Sequence, residues 1–273
     1  MEPIFTDVKV YHGEPAADYF ARPEVSRSDL VKCLTDPARF MAWKTEHRAT
    51  KAMDLGTLVH ELVLTPETAH ERICVLDYPD WRTKDAKADR DAARAEDLIP
   101  VLREPTGINE MSMAKADDIA AVCRRAFGGL LDGGDKEVVI VATHIRTGLR
   151  VKARLDLVGR RGSLGVTDLK TARDASREGM AKAVGQYRLD IQAAIYSDLT
   201  AAAMDLPVLP FCFACVETDG DYLTGLWDLS DAWIAYGREG YEQAIDRWIH
   251  YQSHPWPTSH GRGTLEPKPW DLK

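Results

Sequence analysis

Two aspartates, Asp156 and Asp168, constrain this chain more than any other feature of its sequence. They lie in two strand-like runs, Val-Lys-Ala-Arg-Leu-Asp-Leu-Val at 151–158 and Val-Thr-Asp-Leu-Lys at 166–170, separated by the turn-rich Gly-Arg-Arg-Gly-Ser-Leu-Gly. On strand alternation, Leu149, Val151, Ala153, Leu155 and Leu157 share one face, and Arg150, Lys152, Arg154 and Asp156 share the other. In the second run Asp168 and Lys170 share a face, with Thr167 and Leu169 opposite. A symmetric hairpin sets Asp156 directly across from Asp168, with Cβ atoms about 4.5–5.5 Å apart. Two carboxylates at that spacing repel, so the pair needs a counter-charge. A divalent cation bound by both is the natural candidate.

Charge distribution supports a polyanionic ligand at the same place. The net charge of −8 speaks against a general nucleic-acid binder. Between residues 144 and 188, however, eleven Lys/Arg stand against four Asp/Glu, a local balance of +7 that leaves −15 on the rest of the chain. A basic segment coinciding with the paired acids suits a polyanion that meets the protein at one site; the alternative is the solvated face of a hairpin and helix. With 273 residues the chain is long enough for one large domain or two small ones. No apolar run approaches the roughly 18 residues of a membrane span, and the first residues lack the basic and apolar regions of a signal peptide. The expectation is a cytoplasmic protein with no membrane association. Five cysteines, an odd number in a chain this size, make a disulfide framework improbable.

Along the chain, no interdomain linker or internal repeat stands out, and a single domain over 1–273 is expected, with its core at about 25–252. Residues 1–24 show no clear period and read as an extended lead-in. Ser26 and Asp29 resemble a helix-capping arrangement before Leu30, Cys33 and Leu34, and Pro37 can open a second helix. Helical spacing at 52–64 buries Leu55, Leu58, Val59, Leu62 and Val63 and puts Gly56 and His60 on one face. A glycine inside a helix is tolerable where another backbone or a ligand must come close. A lone helical histidine is more often structural than functional.

Residues 78–112 are charged, with a helix around 84–98 whose apolar stripe is thin. They read as a surface excursion, either mobile or ordered by substrate or by another subunit. A helix at 111–131 ends at Gly133-Gly134. The strand from Glu137 then turns through Thr147-Gly148 into the two aspartate runs, giving a three-stranded antiparallel meander. One long helix is expected at about 175–204, with Arg188, Gln192 and Tyr196 as an i, i+4, i+8 row. Two strands at 208–216 and 222–229, an aromatic-rich helix at 230–251 and a Pro-containing tail at 253–273 complete the α/β chain.

The chemistry such residues serve is phosphodiester hydrolysis, which needs a nucleophilic water and charge relief on the phosphate. Mg²⁺ takes oxygen ligands and keeps several waters, so Asp156, Asp168 and the Leu169 backbone carbonyl could hold it. Lys170, on the face of Asp168, can orient the attacking water and offset phosphate charge. Alone, Asp-x-Lys is a weak signal; Asp156 a dozen residues upstream strengthens it.

Gly56-x-x-x-His60, Asp156, Asp168-Leu169-Lys170 and Gln192-x-x-x-Tyr196, in that order, resemble the PD-(D/E)XK nuclease superfamily. The likeness is to its RecB/RecE-like branch, and within it to phage and prophage exodeoxyribonuclease VIII-type nuclease domains, over roughly residues 25–230. Ser-Arg-Ser-Asp-Leu from Ser26 and Asp-Ile-Gln-Ala-Ala-Ile-Tyr-Ser-Asp from Asp190 add to it. The resemblance implies a restriction-endonuclease-like fold, a central mixed sheet with an antiparallel meander flanked by helices. It implies that His60, Asp156 and Asp168 ligate Mg²⁺, with Mn²⁺ as a substitute, and that Lys170 is catalytic. Gln192 and Tyr196 would position DNA or support the site, and Arg188 and Arg154 would contact substrate. Glu137 falls where such nucleases often carry a further acid, so it is an additional candidate ligand or else a strand-end surface charge. Leu155 stands where the family usually has proline.

The implied activity is 5′-to-3′ digestion of duplex DNA from its ends, leaving single strands for an annealing recombinase, by a homo-oligomer. An endonuclease, a nuclease for branched or single strands, and an inactive DNA-binding member are the alternatives. Without a Walker A motif in this chain, any motor would be another protein. Some RecB-like nucleases hold an iron–sulfur cluster on four cysteines. Here only Cys33 could join Cys212 and Cys215 from nearby family positions, no fourth Cys follows Cys215, and no cluster is expected.

Overall fold

The computed structural model describes residues 3–45, 51–106, 111–159, 165–206, 209–261 and 264. The chain opens with β1 (Phe5–Tyr11), α1 (Ala16–Ala21), β2 (Val25–Ser26), α2 (Arg27–Thr35), α3 (Pro37–Thr45) and α4 (Lys51–Leu64). A side layer follows: α5 (Ala69–Arg72), β3 (Ile73–Leu76), α6 (Lys84–Ala95) and β4 (Ile99–Leu102). Then come α7 (Met113–Leu131), β5 (Gly134–His144), β6 (Arg150–Gly159), β7 (Val166–Ala172), α8 (Arg177–Tyr187), α9 (Leu189–Met204), β8 (Phe211–Glu217), β9 (Thr224–Asp228) and α10 (Asp231–Ser253).

The main sheet runs β1-β5-β6-β7-β8-β9, with β2 joined to β6. The expected meander β5-β6-β7 is antiparallel, β7 and β8 are parallel, and β8 and β9 antiparallel, so the sheet is mixed. Strand β8 explains why helices cover both faces. Phe211, Phe213 and Cys215 point into a core with α2, α8, α9 and α10, while Ala214 and Val216 point into a second core with α4 and α7. A strand buried on both sides reads as a continuous apolar run, as Phe-Cys-Phe-Ala-Cys-Val does. Helix α9 is buried almost all round, from Leu189 to Ala201, which a narrow amphipathic stripe would not predict.

Local chemistry sets the helix starts. Ser26 caps α2 with its side chain accepting from the Asp29 N–H, while the Asp29 carboxylate accepts from the Ser26 N–H at 2.9 Å. Both orphan donors are met, as the sequence pattern suggested. Ser112, Ser176 and Ser230 cap α7, α8 and α10 in the same sense.

Three sequence expectations change. The lead-in at 1–24 contains β1, paired antiparallel to β5 from Phe5↔His144 to Tyr11↔Val139, and α1, so the core begins near residue 5. A register shift between Thr6 and Lys9 and the left-handed Asp7 break the alternation that would have revealed the strand. The excursion at 78–112 is anchored on its inner side. β3 and β4 pair in parallel, Val101 and Leu102 are fully buried, and Arg94 of α6 is tied to Asp54 of α4. Residues 107–110 of that segment lie outside the described residues, as do most of the tail and 160–164 of the hairpin linker. Third, the helix expected at 175–204 is two. Arg188 takes a left-handed conformation (φ 51°) between α8 and α9, and the Arg27 guanidinium donates to the Tyr187 and Arg188 carbonyls there at 2.8 and 2.9 Å. No helix among the described residues is long and apolar enough to cross a membrane.

Replacing Ser26 by Ala removes one half of the capping box. Its expected effect is a stability loss of about 1 kcal/mol, seen as a lower denaturant midpoint at unchanged m; an unchanged midpoint would show that α2 does not depend on its cap.

Candidate active site

The site is built where the sheet forks. Among the described residues the β6–β7 register is Leu157↔Thr167 and Val158↔Val166, continued toward the turn by the Gly159 N–H donating to the Gly165 carbonyl at 3.1 Å. One step further along that register Asp156 comes opposite Asp168, as the hairpin requires, but there the ladder opens. The Asp156 carboxylate takes the missing partner's place and accepts the Leu169 N–H at 2.8 Å. In an extended strand the N–H and C=O of one residue point the same way, so the Leu169 carbonyl faces the same opening. Further along β6 the free edge is taken by β2, through Val25↔Val151 and Ser26↔Lys152.

Alternation also slips here. Leu149, Val151, Ala153 and Leu155 share one core as expected, yet Val158 rather than Leu157 continues it. Across the strand pair, Glu137 has a left-handed backbone (φ 53°) where the register between Lys136↔Leu157 and Val138↔Leu155 would place it opposite Asp156. A positive φ on a non-glycine residue in a strand distorts the pleat at this one level.

Helix α4 brings its histidine to the fork because Gly56 lets it close on β7. A Cβ at position 56 would stand 3.1 Å from Thr171 Oγ1. With α4 seated, Leu55, Leu58, Val59 and Val63 pack in one core with Leu169. His60 Nδ1 then lies 3.6 Å from Asp156 Oδ2. From the other face, Gln192 of α9 donates through Nε2 to Asp168 Oδ1, and Lys170 Nζ lies 2.6 Å from Asp168 Oδ2. Around this centre Glu137 pairs with Arg154, and Glu61 pairs with Arg72 at 2.8 Å.

Electrostatics single out Asp156. Burial pushes its carboxyl above the usual range; His60 opposes that shift, Asp168 adds to it, and Lys170 and the Leu169 N–H oppose it again. Glu137 is pushed up to about 8 by burial and then by Asp156, against the pull of Arg154. Among these acids Glu61, Glu137 and Asp168 each face an Arg or Lys, whereas Asp156 faces a histidine, which is not a permanent cation.

The structure thus gathers His60, Asp156, Asp168, Leu169, Lys170 and Gln192, with Glu137 and Arg154 adjoining. It removes Arg188 from the expected row. That residue lies at the helix break, its guanidinium bound to Asp190 and stacked 5.1 Å above the Tyr236 ring. The i, i+8 spacing failed because the helix stops between the two residues. Tyr196 remains one turn beyond Gln192, but only 8 % of it is exposed, and burial raises its hydroxyl well above the ordinary range; it packs behind the site.

Arg27 escaped the sequence reading. Burial lowers its pKa, while Tyr196, Asp168 and Asp190 pull it back, which places it among them. The available signal was a cation in the first turn of α2, where the helix dipole disfavours it. Cys215 is buried and Cys212 half-buried, their thiols pushed up to about 12 by burial.

The donor set fits a hard divalent cation: carboxylates, a backbone carbonyl and one imidazole, with Asp156 lacking a permanent counter-charge. Among the described residues no three His, Cys, Asp or Glu side chains converge on one point. Asp168 is turned instead to Gln192 and to Lys170, whose ammonium stands against the buried Oδ2.

A mixed sheet with helices on both faces, forked at an acid pair with a lysine two residues beyond the second acid, is the restriction-endonuclease-like fold of the PD-(D/E)XK superfamily. Within it, the chain belongs to the family described as a PDDEXK-like domain of unknown function (DUF3799), matched over residues 26–264. Its fold is similar to the crystal structure of a "Putative exonuclease" from Eubacterium rectale, with a TM-score of 0.63 and 16% identity, over 96% of this chain and 98% of that one. No curated protein matches the chain.

Gly56→Val tests the geometry. The added side chain crowds Thr171 Oγ1, 3.1 Å from the Cβ position, and the expected response is a shift of α4 away from β7 that carries His60 from Asp156. If His60 and Asp156 hold a divalent cation together, stabilisation of the variant by Mg²⁺ is expected to need on the order of tenfold more of the ion; an unshifted titration would mean that His60 need not approach Asp156.

Proposed function

We propose that the chain is a Mg²⁺-dependent exodeoxyribonuclease that degrades linear duplex DNA from its ends, 5′-to-3′, leaving single strands for recombination of the phage type. The observation that carries this reading is the fork itself: Asp156 opposite Asp168, His60 beside the first, Lys170 and Gln192 on the second.

In this reading His60, Asp156, Asp168 and the Leu169 carbonyl hold Mg²⁺. When bound, the ion relieves phosphate charge and makes a coordinated water more acidic. Lys170 orients the attacking water and carries positive charge toward the phosphate. Gln192 fixes the Asp168 carboxylate so that its second oxygen stays directed at Lys170 and the opening. Tyr196 and Arg27 support that arrangement from behind α9, and Arg154 faces the phosphate from the β5 side. Of the basic segment from 144 to 188, Arg146, Arg150, Arg154, Lys170 and Arg188 are paired with acids and Lys152 is buried on backbone carbonyls, so among the described residues Arg173, Arg177 and Lys182 are the exposed cations left to meet the backbone of a DNA end. A single-strand annealing recombinase as partner, a homo-oligomeric assembly and a cytoplasmic site of action complete the proposal. Cleavage at internal positions is the second reading, since the acid pair and lysine serve either mode.

End-labelled linear duplex DNA and closed circular DNA, each incubated with the protein in Mg²⁺ and in EDTA, separate these readings. Loss of the linear form alone, in Mg²⁺ alone, is expected. Asp168→Ala is expected to abolish it in a folded protein, and Lys170→Ala to slow it by roughly 10²-fold or more at nearly unchanged Mg²⁺ affinity. Nicked circles would favour the endonuclease, and full activity of Asp168→Ala would remove the assigned site.

A further inference from the structure

Asp156 has a carboxylate on either side of it in the sheet. Asp168 is its neighbour toward β7, and Glu137 its neighbour across β5 by the register that brackets them. An acid flanked in this way can bridge two divalent ions, which in two-metal phosphoryl chemistry stand about 3.5–4 Å apart. The two sides are not equivalent here. On the Asp168 side the facing groups are His60 and the Leu169 backbone. On the Glu137 side a cation is already in place: Arg154, two residues before Asp156 on β6, forms an ion pair with Glu137, and their side chains are 20% and 14% exposed.

A guanidinium does not lose its proton in proteins, so Arg154 cannot vacate that position by titrating. The left-handed backbone at Glu137 (φ 53°) is confined to this level of the strand. Such a conformation is disfavoured for an L-residue, and it persists where surrounding contacts over-determine it.

Resting on the nuclease reading above, we propose that Arg154, held by Glu137, fills the place a second cation would take, so that the centre works with one divalent ion per chain. The guanidinium carries five N–H donors in a fixed fork. With Nε against Glu137, the remaining donors can meet a phosphate oxygen and relieve the charge that develops during cleavage. Glu137 is then a positioning residue for Arg154 and not a metal ligand.

The test counts bound Mn²⁺ on the full chain without DNA, by the electron-paramagnetic-resonance signal of free Mn²⁺ and by calorimetry. One ion per chain is expected for the unmodified protein. Arg154→Ala, which frees the Glu137 carboxylate, is expected to raise the count twofold, and adding Glu137→Gln to return it to one. Two ions on the unmodified protein, or a folded Arg154→Ala that still binds one, overturns the proposal. Should Arg154→Ala not fold, Glu137→Gln alone decides: an unchanged count of one supports it, and a lost ion makes Glu137 a ligand and overturns it. Two ions with DNA degradation intact would remove only this inference, whereas no bound Mn²⁺ at any concentration would remove the metal-dependent reading with it.

Discussion

The hydrogen bond from the Leu169 N–H to the Asp156 carboxylate is where secondary structure gives way to chemistry in this protein. Antiparallel strands ordinarily satisfy each other's backbone groups. At this level β6 supplies a side chain instead, and the backbone ladder ends at Leu157↔Thr167. The bond lets the fork exist without leaving a buried donor unmet, which would cost on the order of 1–3 kcal/mol. It also aims an acid into the opening and turns the Leu169 carbonyl the same way. β2 closes the gap further along β6 and leads directly into α2, whose first residue, Arg27, ties down the helix break ahead of Gln192.

Around the fork, acids and bases are distributed in pairs. Glu61 has Arg72, Glu137 has Arg154, and Asp168 has Lys170. Partly buried charges need such partners, because desolvation alone would neutralise them. Asp156 is the departure. Its neighbour is a histidine 3.6 Å away, its carboxyl is pushed upward by burial, and Asp168 adds to the push. A folded chain that keeps an acid in this condition gives up stability at that point, as functional sites commonly do.

The acid pair, the lysine and the capping box of α2 were legible because each depends on short-range spacing: alternation in a strand, and three residues in a helix turn. Gly56 and His60 were legible as a helical pair, but only the tertiary contact with Thr171 shows why the glycine is there. What the sequence concealed was non-local. β1 is hidden by its bulge and by pairing with a strand more than a hundred residues away. The break at Arg188 depends on Arg27, contributed from the other end of the chain, so helical periodicity carried the row Arg188, Gln192 and Tyr196 straight through it. The inner anchoring of the charged segment before α7 rests on a few residues such as Val101 and Leu102, too short a run to outweigh the surrounding charge.

If Asp156 is an acid held without a permanent counter-charge for the sake of a cation, removing its charge should help the metal-free fold and remove its response to metal. Asn at position 156 keeps an oxygen for the Leu169 N–H, so the fork itself is spared. Thermal unfolding of the unmodified protein and of Asp156→Asn, each in EDTA and in Mg²⁺, reads both effects together. The expected result is a higher midpoint for Asp156→Asn in EDTA and no further rise in Mg²⁺, against a clear Mg²⁺-induced rise in the unmodified protein. A lower midpoint for Asp156→Asn in EDTA together with a full Mg²⁺ response would contradict it.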